Sequence, residues 1–532
     1  MSSATTPIPL DHAVSGAGQI DVARVMPWLV AAMVLAVGVM LVDSLPVGVV
    51  HDDGMYVILA KSIATGQGYR WLNIPGSPPA THFPPGYPAV LALLWWIYPV
   101  FPGNVVLFKI ANALFTGVAA AGTARFAHGR LGLSARGAAA FTLVSMLGVP
   151  TLALSVMVMS EPLFLAVLLP ILLAAERLAD TERPASRELV LLGLAAGAAT
   201  LIRTHGIALI AAIPIVLVMR RRRLADAALC AASAVAVVLP WQLWVSMHAG
   251  ALPAPMRGNY ESYGAWLIAG FRTEGVALLG RTAANTGTEL LSMFATLAVP
   301  SMPAAIRIAA LIMLGVLGAA GLRVLWRLAP VTTLFVGFYL AIVIFWPFPP
   351  TRFVWGVWPL VLMPIVLGAR SFIAWRPAAR WPRALRTAVI AATVALALGH
   401  ATYTLRGYRG QWWQSIPKAH AASISPVVFW AARHTGARDV VAVEAESAVY
   451  LYAERRTVPV HTFTVEQYFQ RRSPQENAAV IRTILDTYRV DAIAVSSPAM
   501  REAARELATR QPPVVTVRDT FPGGLVLLPS RK

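Results

Sequence analysis

Two adjacent carboxylic acids stand directly after the first long apolar stretch of the chain. Asp52 and Asp53 follow Val25–Val50, and Tyr56 lies four residues beyond Asp52. If a helix begins here, Asp52 caps its first turn and shares a face with Tyr56. Because like charges in low dielectric disfavour joint ionisation, one carboxyl is expected to have a raised pKa, which suits a general base. The alternative is that both acids only cap the start of a loop.

A second set of ionisable residues lies among or beside apolar segments. Glu161 stands in a turn between two of them, and three arginines lie further along the chain: Arg203, Arg257 and Arg352. An ionisable group at membrane depth indicates function, and the planar guanidinium fits phosphate. We therefore predict four substrate-binding residues. The alternatives are a helix cap at Glu161, a structural ion pair between Arg203 and Glu161, and interfacial placement of Arg352.

The segment 49–103 is a long loop rich in glycine and proline. It contains Lys61, the run Gly66–Tyr69, and His82 ahead of Phe83 and the pair Pro84–Pro85. Structureless loops beyond about 12–15 residues are uncommon unless they are functional. We predict a structured loop in which Lys61 and His82 contact substrate, with a plain connector as the alternative.

Composition sets the class of protein to which these residues belong. Of 532 residues, 57% are hydrophobic and 13% are charged, with 44 Lys and Arg against 25 Asp and Glu and a net charge of +19. Soluble domains have about 45–50% apolar and about 25% charged residues, so a soluble single-core enzyme is excluded. Arginine-rich cytoplasmic loops explain the positive charge, and no nucleic-acid partner is predicted.

The apolar segments predict a polytopic α-helical membrane protein. A bilayer span needs about 20 mostly apolar residues. Placing four basic clusters in the cytoplasm, between 125 and 136, 220 and 223, 323 and 327, and 376 and 386, gives about eleven spans. The predicted spans are Val25–Val50 and about 104–124, 138–158, 162–178, 188–202, 206–219, 224–245, 304–322, 330–347, 354–370 and 386–404.

This topology sorts the remaining segments. Residues 1–24 form a flexible cytoplasmic arm, 25–404 the membrane domain, and 405–532 a domain outside the cytoplasm. The loops 49–103 and 246–303 then face outward, as do Glu161, Arg203 and Arg352. Two short apolar runs, Pro88–Val100 and Leu290–Val299, are predicted not to cross the membrane.

Residues 405–532 predict a small α/β domain, because charged residues are about twice as frequent there as before. Ser425 and Pro426 are predicted to begin a helix over Val427–His434. Further helices are expected over Asn477–Tyr488 and Pro498–Ala508, and strands over Asp439–Val443, Ala492–Ser496, Val514–Val517 and Gly524–Leu528. The domain either helps to bind an acceptor or is a passive cap.

The order of these motifs resembles the integral-membrane glycosyltransferases of the GT-C superfamily. The chain looks most similar to family 39, which includes protein O-mannosyltransferases and lipid A aminoarabinose transferases. The resemblance covers about residues 25–404 and, more loosely, the tail. The matching residues are the acidic pair Asp52 and Asp53 with Tyr56, then Pro84–Pro85, Glu161, Arg203 after a Gly-rich helix, and Arg352–Phe353 before a Pro-rich span. Phe83 stands where the aminoarabinose transferases often have Lys, and Glu161 replaces a frequent Asp.

The resemblance implies transfer of a sugar from a polyprenyl-phosphate donor to an acceptor hydroxyl on the outer face of the membrane, usually with inversion. Asp52 would be the base, with Asp53 beside it, and Arg203 and Arg352 would stabilise the leaving phosphate. The acceptor would be a glycolipid, a glycan or a protein, and the location a bacterial-type inner membrane. No cofactor is required, and a divalent cation is left open.

Two other functions fit a polytopic protein. One is a transporter or flippase for lipid-linked sugars, which is expected to have internal repeats and ionisable groups near mid-membrane. The sequence has no obvious repeat, and its charges collect at one border. The other is a structural assembly subunit, which would need no acidic pair.

Overall fold

Helices make up the chain from Val22 to His434. The computed structural model describes residues 22–221, 223–346, 348–464, 467, 469–521 and 523–530, so the predicted arm at 1–24 lies almost entirely outside the described residues. The helices are α1 Val22–Met40, α2 Asp52–Ala64, α3 Gly86–Ile97, α4 Asn104–Gly129, α5 Ala135–Met146, α6 Val149–Ser155, α7 Glu161–Asp180, α8 Ser186–Ile202, α9 Ile207–Arg221, α10 Leu224–Met247, α11 Arg257–Tyr260, α12 Tyr263–Glu274, α13 Ala277–Ala298, α14 Ala304–Leu328, α15 Pro330–Ile344, α16 Thr351–Trp355, α17 Trp358–Ala374, α18 Arg380–Gly410 and α19 Trp412–His434.

Several of these helices are long and apolar enough to cross a bilayer. Among the described residues there are six, namely α1, α4, α7, α10, α14 and α18, and a seventh if α5 and α6, bent by 62°, form one span. Shorter apolar helices coincide with α3, α9, α15 and α17. The predicted polytopic helical membrane fold is confirmed, and the count of eleven spans stays a prediction.

Two helix boundaries differ from those predicted. The first span was expected to run over Val25–Val50, but α1 ends at Met40. Asp43 lies just beyond it and forms an ion pair of 2.6 Å with the buried Lys109. The same ammonium binds the backbone carbonyls of Asp43 and Leu45, which are then unavailable for a continued helix. The second difference is Leu290–Val299, which is the C-terminal half of the 22-residue helix α13 rather than an isolated short piece.

The sheet of the C-terminal domain has five strands. They are β1 Val440–Val443, β2 Arg456–Pro459, β3 Ala492–Val495, β4 Val515–Phe521 and β5 Gly524–Pro529, in the order β2-β1-β3-β5-β4. β1 pairs in parallel with β2 and β3, and β5 pairs antiparallel with β3 and β4. The accompanying helices are α20 Glu446–Ala453, α21 Pro474–Thr487 and α22 Pro498–Thr509. The predicted α/β fold is confirmed, and β2 is an additional strand.

The helix start predicted at Ser425 is wrong. α19 begins at Trp412 and runs through both Pro417 and Pro426. The hydroxyl of Ser425 donates to the carbonyl of Ala421 one turn earlier and caps nothing. A proline inside a helix removes one backbone donor, and α19 nevertheless continues through both prolines while α20 packs against it.

Buried hydrogen bonds join the C-terminal domain to two loops of the membrane domain, which contain Asn73 and Tyr260. The hydroxyl of Tyr260 donates to Glu446 Oε1 at 3.0 Å and accepts from Asn73 Nδ2 at 3.1 Å. The amide of Thr457 donates to the carbonyl of Asn73 at 2.7 Å. Because polar groups buried without partners cost about 1–3 kcal/mol each, this set fixes the domain on the loops.

Helices α14 and α17 approach each other through two glycines. A β-carbon at Gly321 would overlap the carbonyl oxygen of Pro364, and one at Gly368 would overlap that of Leu317. Small residues permit this close backbone approach in membrane helix pairs. Since the obstacle is backbone rather than a flexible side chain, no rotamer change relieves it.

We expect Gly321→Ala to destabilise the protein by about 1–3 kcal/mol through overpacking. The measurement is the thermal unfolding midpoint in detergent. Gly318→Ala in the same helix is the matched control, because a β-carbon there meets nothing within 4 Å. Equal or higher stability of the Gly321 variant would contradict the close crossing.

Candidate active site

A cavity of about 530 Å³ lies between loops of the membrane domain and the C-terminal domain. Its volume is within the range of small-ligand sites. Four segments of the chain form it, and the lining residues are His51, Asp52, His82, Gly258, Asn259, Tyr263, Phe348, Pro349, Arg352, Phe353, Glu444, His461 and Phe463. Aromatic surface with a few convergent charged groups is typical of a binding or catalytic site.

A strained turn places Asp52 in this cavity. His51 has φ 68° and ψ −70°, and the amide of Asp52 donates to the carbonyl of Val50 at 3.0 Å. This is a γ-turn of the rare, strained type, built here with a residue other than glycine. Such strain persists only where the surroundings enforce it and is frequent at active sites. The turn reverses the chain so that α2 begins with its first carboxylate at the cavity.

Asp53 has a different environment from its neighbour. It is 3% exposed, and its Oδ1 accepts hydrogen bonds from the amides of Val50 at 3.1 Å and Gly54 at 2.9 Å. It faces a void of only about 10 Å³ rather than the cavity. Burial raises the pKa of Asp53 against these hydrogen bonds. Asp53 therefore holds the turn, and a catalytic role for it stays a prediction.

A chain of ion pairs links four of the predicted residues. Arg352 Nη2 lies 2.6 Å from Asp52 Oδ2, and Arg352 Nε lies 2.8 Å from Glu161 Oε1. Arg203 Nη1 lies 2.8 Å from the same Glu161 oxygen. Glu161 and Arg203 are 1% and 5% exposed, whereas Asp52 and Arg352 are 19% and 27% exposed. The network is electrically balanced, and it meets the cavity through Asp52 and Arg352.

The charge network sets the protonation state of Asp52. Burial alone would raise the pKa of this carboxyl, but the Arg352 guanidinium, with a contribution from His51, outweighs burial and lowers it. The sequence predicted that one member of the acidic pair would have a raised pKa, and it is Asp53 rather than the cavity-facing Asp52. Asp52 is thus an ionised carboxylate at neutral pH.

His82 lies on the loop side of the cavity. Its Nδ1 donates to the carbonyl of Glu261 at 2.5 Å, and its ring contacts that of Tyr263 at 4.3 Å between centroids. Burial lowers the pKa of His82 to about 4, so the ring is neutral at physiological pH. It offers the cavity a hydrogen-bonding group without a charge.

Besides the buried Glu161, whose substrate contact stays a prediction, four other predicted residues do not line the cavity. Tyr56 lies behind Asp52 and meets Ser160 Oγ through its hydroxyl at 3.2 Å, and Arg203 reaches the same oxygen at 2.9 Å. Lys61 is at the far end of α2, with its ammonium 5.1 Å from the ring centre of Tyr450. Arg257 is exposed, and its Nε donates to the carbonyl of Leu252 at 3.4 Å. Substrate contacts for these four residues stay predictions.

The cavity also contains residues that the sequence did not single out. His51, Asn259, Glu444, His461 and Phe463 all line it. Three of them, Glu444, His461 and Phe463, come from the C-terminal domain, roughly 400 residues after α2 in the chain. No local pattern in the sequence marks these residues as part of a site. The strained backbone at His51 is visible only in the structure.

The described residues do not fit a divalent cation. No three His, Cys, Asp or Glu side chains among them converge to hold a metal ion. Of the two carboxylates that line the cavity, Asp52 is paired with a guanidinium, as is its buried neighbour Glu161, while Glu444 is bound by Ser496 and Ser497. Positive charge at this site is therefore supplied by arginine.

Solved structures have the same fold. The chain superposes on ArnT from Cupriavidus metallidurans in the apo state with a TM-score of 0.51 and 14% identity, over 95% of this chain and 97% of that one. The likeness to the same protein bound to undecaprenyl phosphate has a TM-score of 0.50, 13% identity and coverage of 96% and 98%. The archaeal oligosaccharyltransferase AglB from Archaeoglobus fulgidus, in complex with an inhibitory peptide and a dolichol-phosphate, is similar with a TM-score of 0.50 and 12% identity. The match covers 90% of this chain and 70% of that one.

These likenesses establish the fold. The predicted resemblance is confirmed as a shared fold, which the chain has in common with ArnT and with the oligosaccharyltransferase AglB. No protein-family profile matches the chain, and no curated protein matches it.

We expect Glu161→Gln to destabilise the protein strongly, because Arg203 would lose the carboxylate that balances its buried charge. Breaking a buried ion pair by removing one partner costs about 3–5 kcal/mol. The matched control is Glu188→Gln, whose pair with Arg177 is exposed and contributes about 0–1 kcal/mol. Thermal unfolding in detergent compares the two, and equal shifts would count against the buried network.

Proposed function

We propose that this protein is a membrane glycosyltransferase that moves a sugar from a polyprenyl-phosphate donor to an acceptor hydroxyl. The observation that carries the proposal is one cavity that presents an ionised carboxylate and a guanidinium side by side, Asp52 and Arg352. The fold supports it, since a protein of this fold is bound to undecaprenyl phosphate and another to dolichol-phosphate.

Arg352 is suited to hold the donor phosphate. Its Nη2 and Nε are directed to Asp52 and Glu161, while Nη1 has no hydrogen bond among the described residues. Negative charge grows on the phosphate as the glycosidic bond breaks. A guanidinium fixed in place by two carboxylates stabilises that charge without reorganising. Arg203 acts through Glu161, whose charge it balances.

Asp52 is suited to be the base. Its Oδ2 is paired with Arg352, which leaves Oδ1 for the acceptor hydroxyl. The acceptor oxygen attacks the anomeric carbon, the bond from that carbon to the phosphate oxygen breaks, and the hydroxyl proton passes to Asp52. Polyprenyl phosphate leaves as the anion beside Arg352. A single displacement of this kind inverts the anomeric centre.

We place the site on the outer face of a bacterial-type inner membrane. α7 supports this placement, because it begins at Glu161 in the ion-pair network and ends at Asp180, which pairs with Arg130 in a basic loop. Its 20 residues span about 30 Å, the thickness of the hydrocarbon core. Basic loops favour the cytoplasm, so the network and the C-terminal domain lie on the other side.

We expect Asp52→Asn to reduce sugar transfer by about 10²–10⁴-fold, the usual contribution of a general base. Asp53→Asn should reduce it far less, because Asp53 faces the small void and not the cavity. Purified protein is assayed with defined polyprenyl-phosphate sugars and candidate acceptors. Full activity of Asp52→Asn would remove Asp52 as the base, and absence of transfer by the wild type from every donor would favour a transporter.

The acid limb of the pH–rate profile should lie below the usual carboxyl pKa of about 3.9. The base must be ionised, so transfer is present above the pKa of Asp52 and is lost as pH falls through it. Arg352 lowers that pKa. In Arg352→Gln, burial dominates, and the acid limb of the residual activity should move to higher pH. Single-turnover rates measured as a function of pH give the position of the acid limb. An acid limb at the same pH in Arg352→Gln would contradict the effect of Arg352 on the pKa of Asp52.

A further inference from the structure

The C-terminal domain supplies one whole side of the cavity. Three residues form this side, which we call the C-terminal wall: Glu444, His461 and Phe463. They line the same cavity as Asp52 and Arg352, and the proposed function assigns no role to them.

Glu444 is held with one oxygen bound and one oxygen available. It follows β1, and its Oε2 accepts hydrogen bonds from Ser496 N at 2.5 Å, Ser496 Oγ at 3.0 Å and Ser497 N at 2.9 Å. Oε1 has neither a hydrogen bond nor an ion pair among the described residues. The side chain is half-buried at the cavity. Three donors on one oxygen fix the carboxylate, so the other oxygen is presented in a defined direction.

Asn259 fixes the other two residues of the wall. Its Nδ2 donates to the carbonyl of His461 at 3.2 Å, and its Oδ1 accepts from the amide of Phe463 at 2.6 Å. Gly258 permits this approach, because a β-carbon there would overlap the Phe463 carbonyl oxygen. The ring of Phe463 stacks on that of Phe348 at 5.0 Å and 19°. The wall thus combines carboxylate and imidazole with a flat aromatic face.

The two sides of the cavity differ in charge. At the network, Asp52 is neutralised by Arg352, whose free Nη1 attracts an anion. At the wall, Glu444 has no cationic partner among the described residues and repels an anion. A phosphate therefore goes to Arg352, and a neutral group rich in hydroxyl donors goes to Glu444.

We infer that the C-terminal wall is the acceptor subsite and that the acceptor is a glycan. A pyranose ring has an apolar C–H face, which suits the Phe348–Phe463 surface, and adjacent hydroxyls that donate to a carboxylate oxygen. This inference rests on the proposed function, and it names the acceptor class.

A peptide acceptor fits the wall less well. An extended peptide that adds to its receptor as a strand is bound through free backbone amides and carbonyls of that receptor. The carbonyl of His461 and the amide of Phe463, which are the backbone groups in question, are already bonded to Asn259. The groups that remain at the wall are side chains that match hydroxyls.

The test measures binding and transfer separately on the full-length protein in detergent. Binding uses an array of immobilised oligosaccharides together with Ser/Thr-containing peptides, and transfer uses defined polyprenyl-phosphate sugars. The main variant is Glu444→Gln. Its amide oxygen still accepts from Ser496 and Ser497, while an NH₂ donor replaces the oxygen that faces the cavity. The matched control is Glu502→Gln, an exposed glutamate of α22 in the same domain.

We expect the wild type and Glu502→Gln to bind at least one oligosaccharide and no peptide, and Glu444→Gln to bind it at least tenfold more weakly. His461→Ala is a second variant, because only its backbone carbonyl is used structurally, and it should also weaken glycan binding. Unfolding midpoints equal to that of the wild type show that both variants fold.

Other outcomes overturn the inference. They are binding of peptides in preference to glycans, absence of glycan binding by the wild type, or equal glycan binding by Glu444→Gln and Glu502→Gln. The transfer arm reports on the proposed function independently. If glycan binding depends on Glu444 but no donor supports transfer, only the proposed function is contradicted. If Glu444→Gln transfers sugar to glycans with the wild-type rate and KM, only the acceptor subsite is contradicted.

Discussion

The mutual neutralisation of two carboxylates and two guanidinium groups at the ends of apolar helices constrains the whole site. Glu161 Oε1 lies 2.8 Å from both Arg203 and Arg352, so one oxygen balances charge from two distant segments of the chain. Burying an ion alone costs several kcal/mol, whereas a paired set is tolerated. The start of α7, the break after α8 and the start of α16 must therefore meet at one point, and Asp52 completes the set from α2.

Because the network is balanced, its function depends on which members reach the cavity. Arg203 and Glu161 are almost fully buried, and Asp52 and Arg352 are partly exposed. The buried pair keeps Arg352 in one orientation, and Arg352 in turn keeps Asp52 ionised. The γ-turn at His51 adds strain at the same point, which the contacts of Asp53 and the surrounding loops must offset.

Much of this arrangement could be predicted from the sequence, because it depends on charged residues whose burial in an apolar setting has a large free-energy cost. Asp52, Glu161, Arg203 and Arg352 stand out by that criterion alone, and the helices and most strands follow from hydrophobic periodicity. Arg257, chosen by the same criterion, and Lys61, chosen for its place in a long loop, both lie outside the cavity. A charged residue in a loop is satisfied by whatever packs nearby, here the ring of Tyr450 and the carbonyl of Leu252.

The parts that could not be predicted depend on contacts between distant segments. Glu444 and Asn259 are ordinary polar residues in the sequence. They line one cavity only because the C-terminal domain packs on loops of the membrane domain, where Tyr260 donates to Glu446. The end of α1 likewise depends on Lys109, which is about 70 residues further along the chain. Local patterns do not contain such pairings.

The distribution of charge along α7 favours the proposed catalysis over transport. This helix begins with Glu161 in the network and has its next ionisable residue, Glu176, in its last turns, where Thr332 and Arg130 bind it. The residues between them are apolar, so α7 offers no ionisable group at mid-membrane for a substrate in transit. Charge at one end of the helix, beside a cavity that the C-terminal domain helps to line, fits the proposed transfer from a membrane-borne phosphosugar.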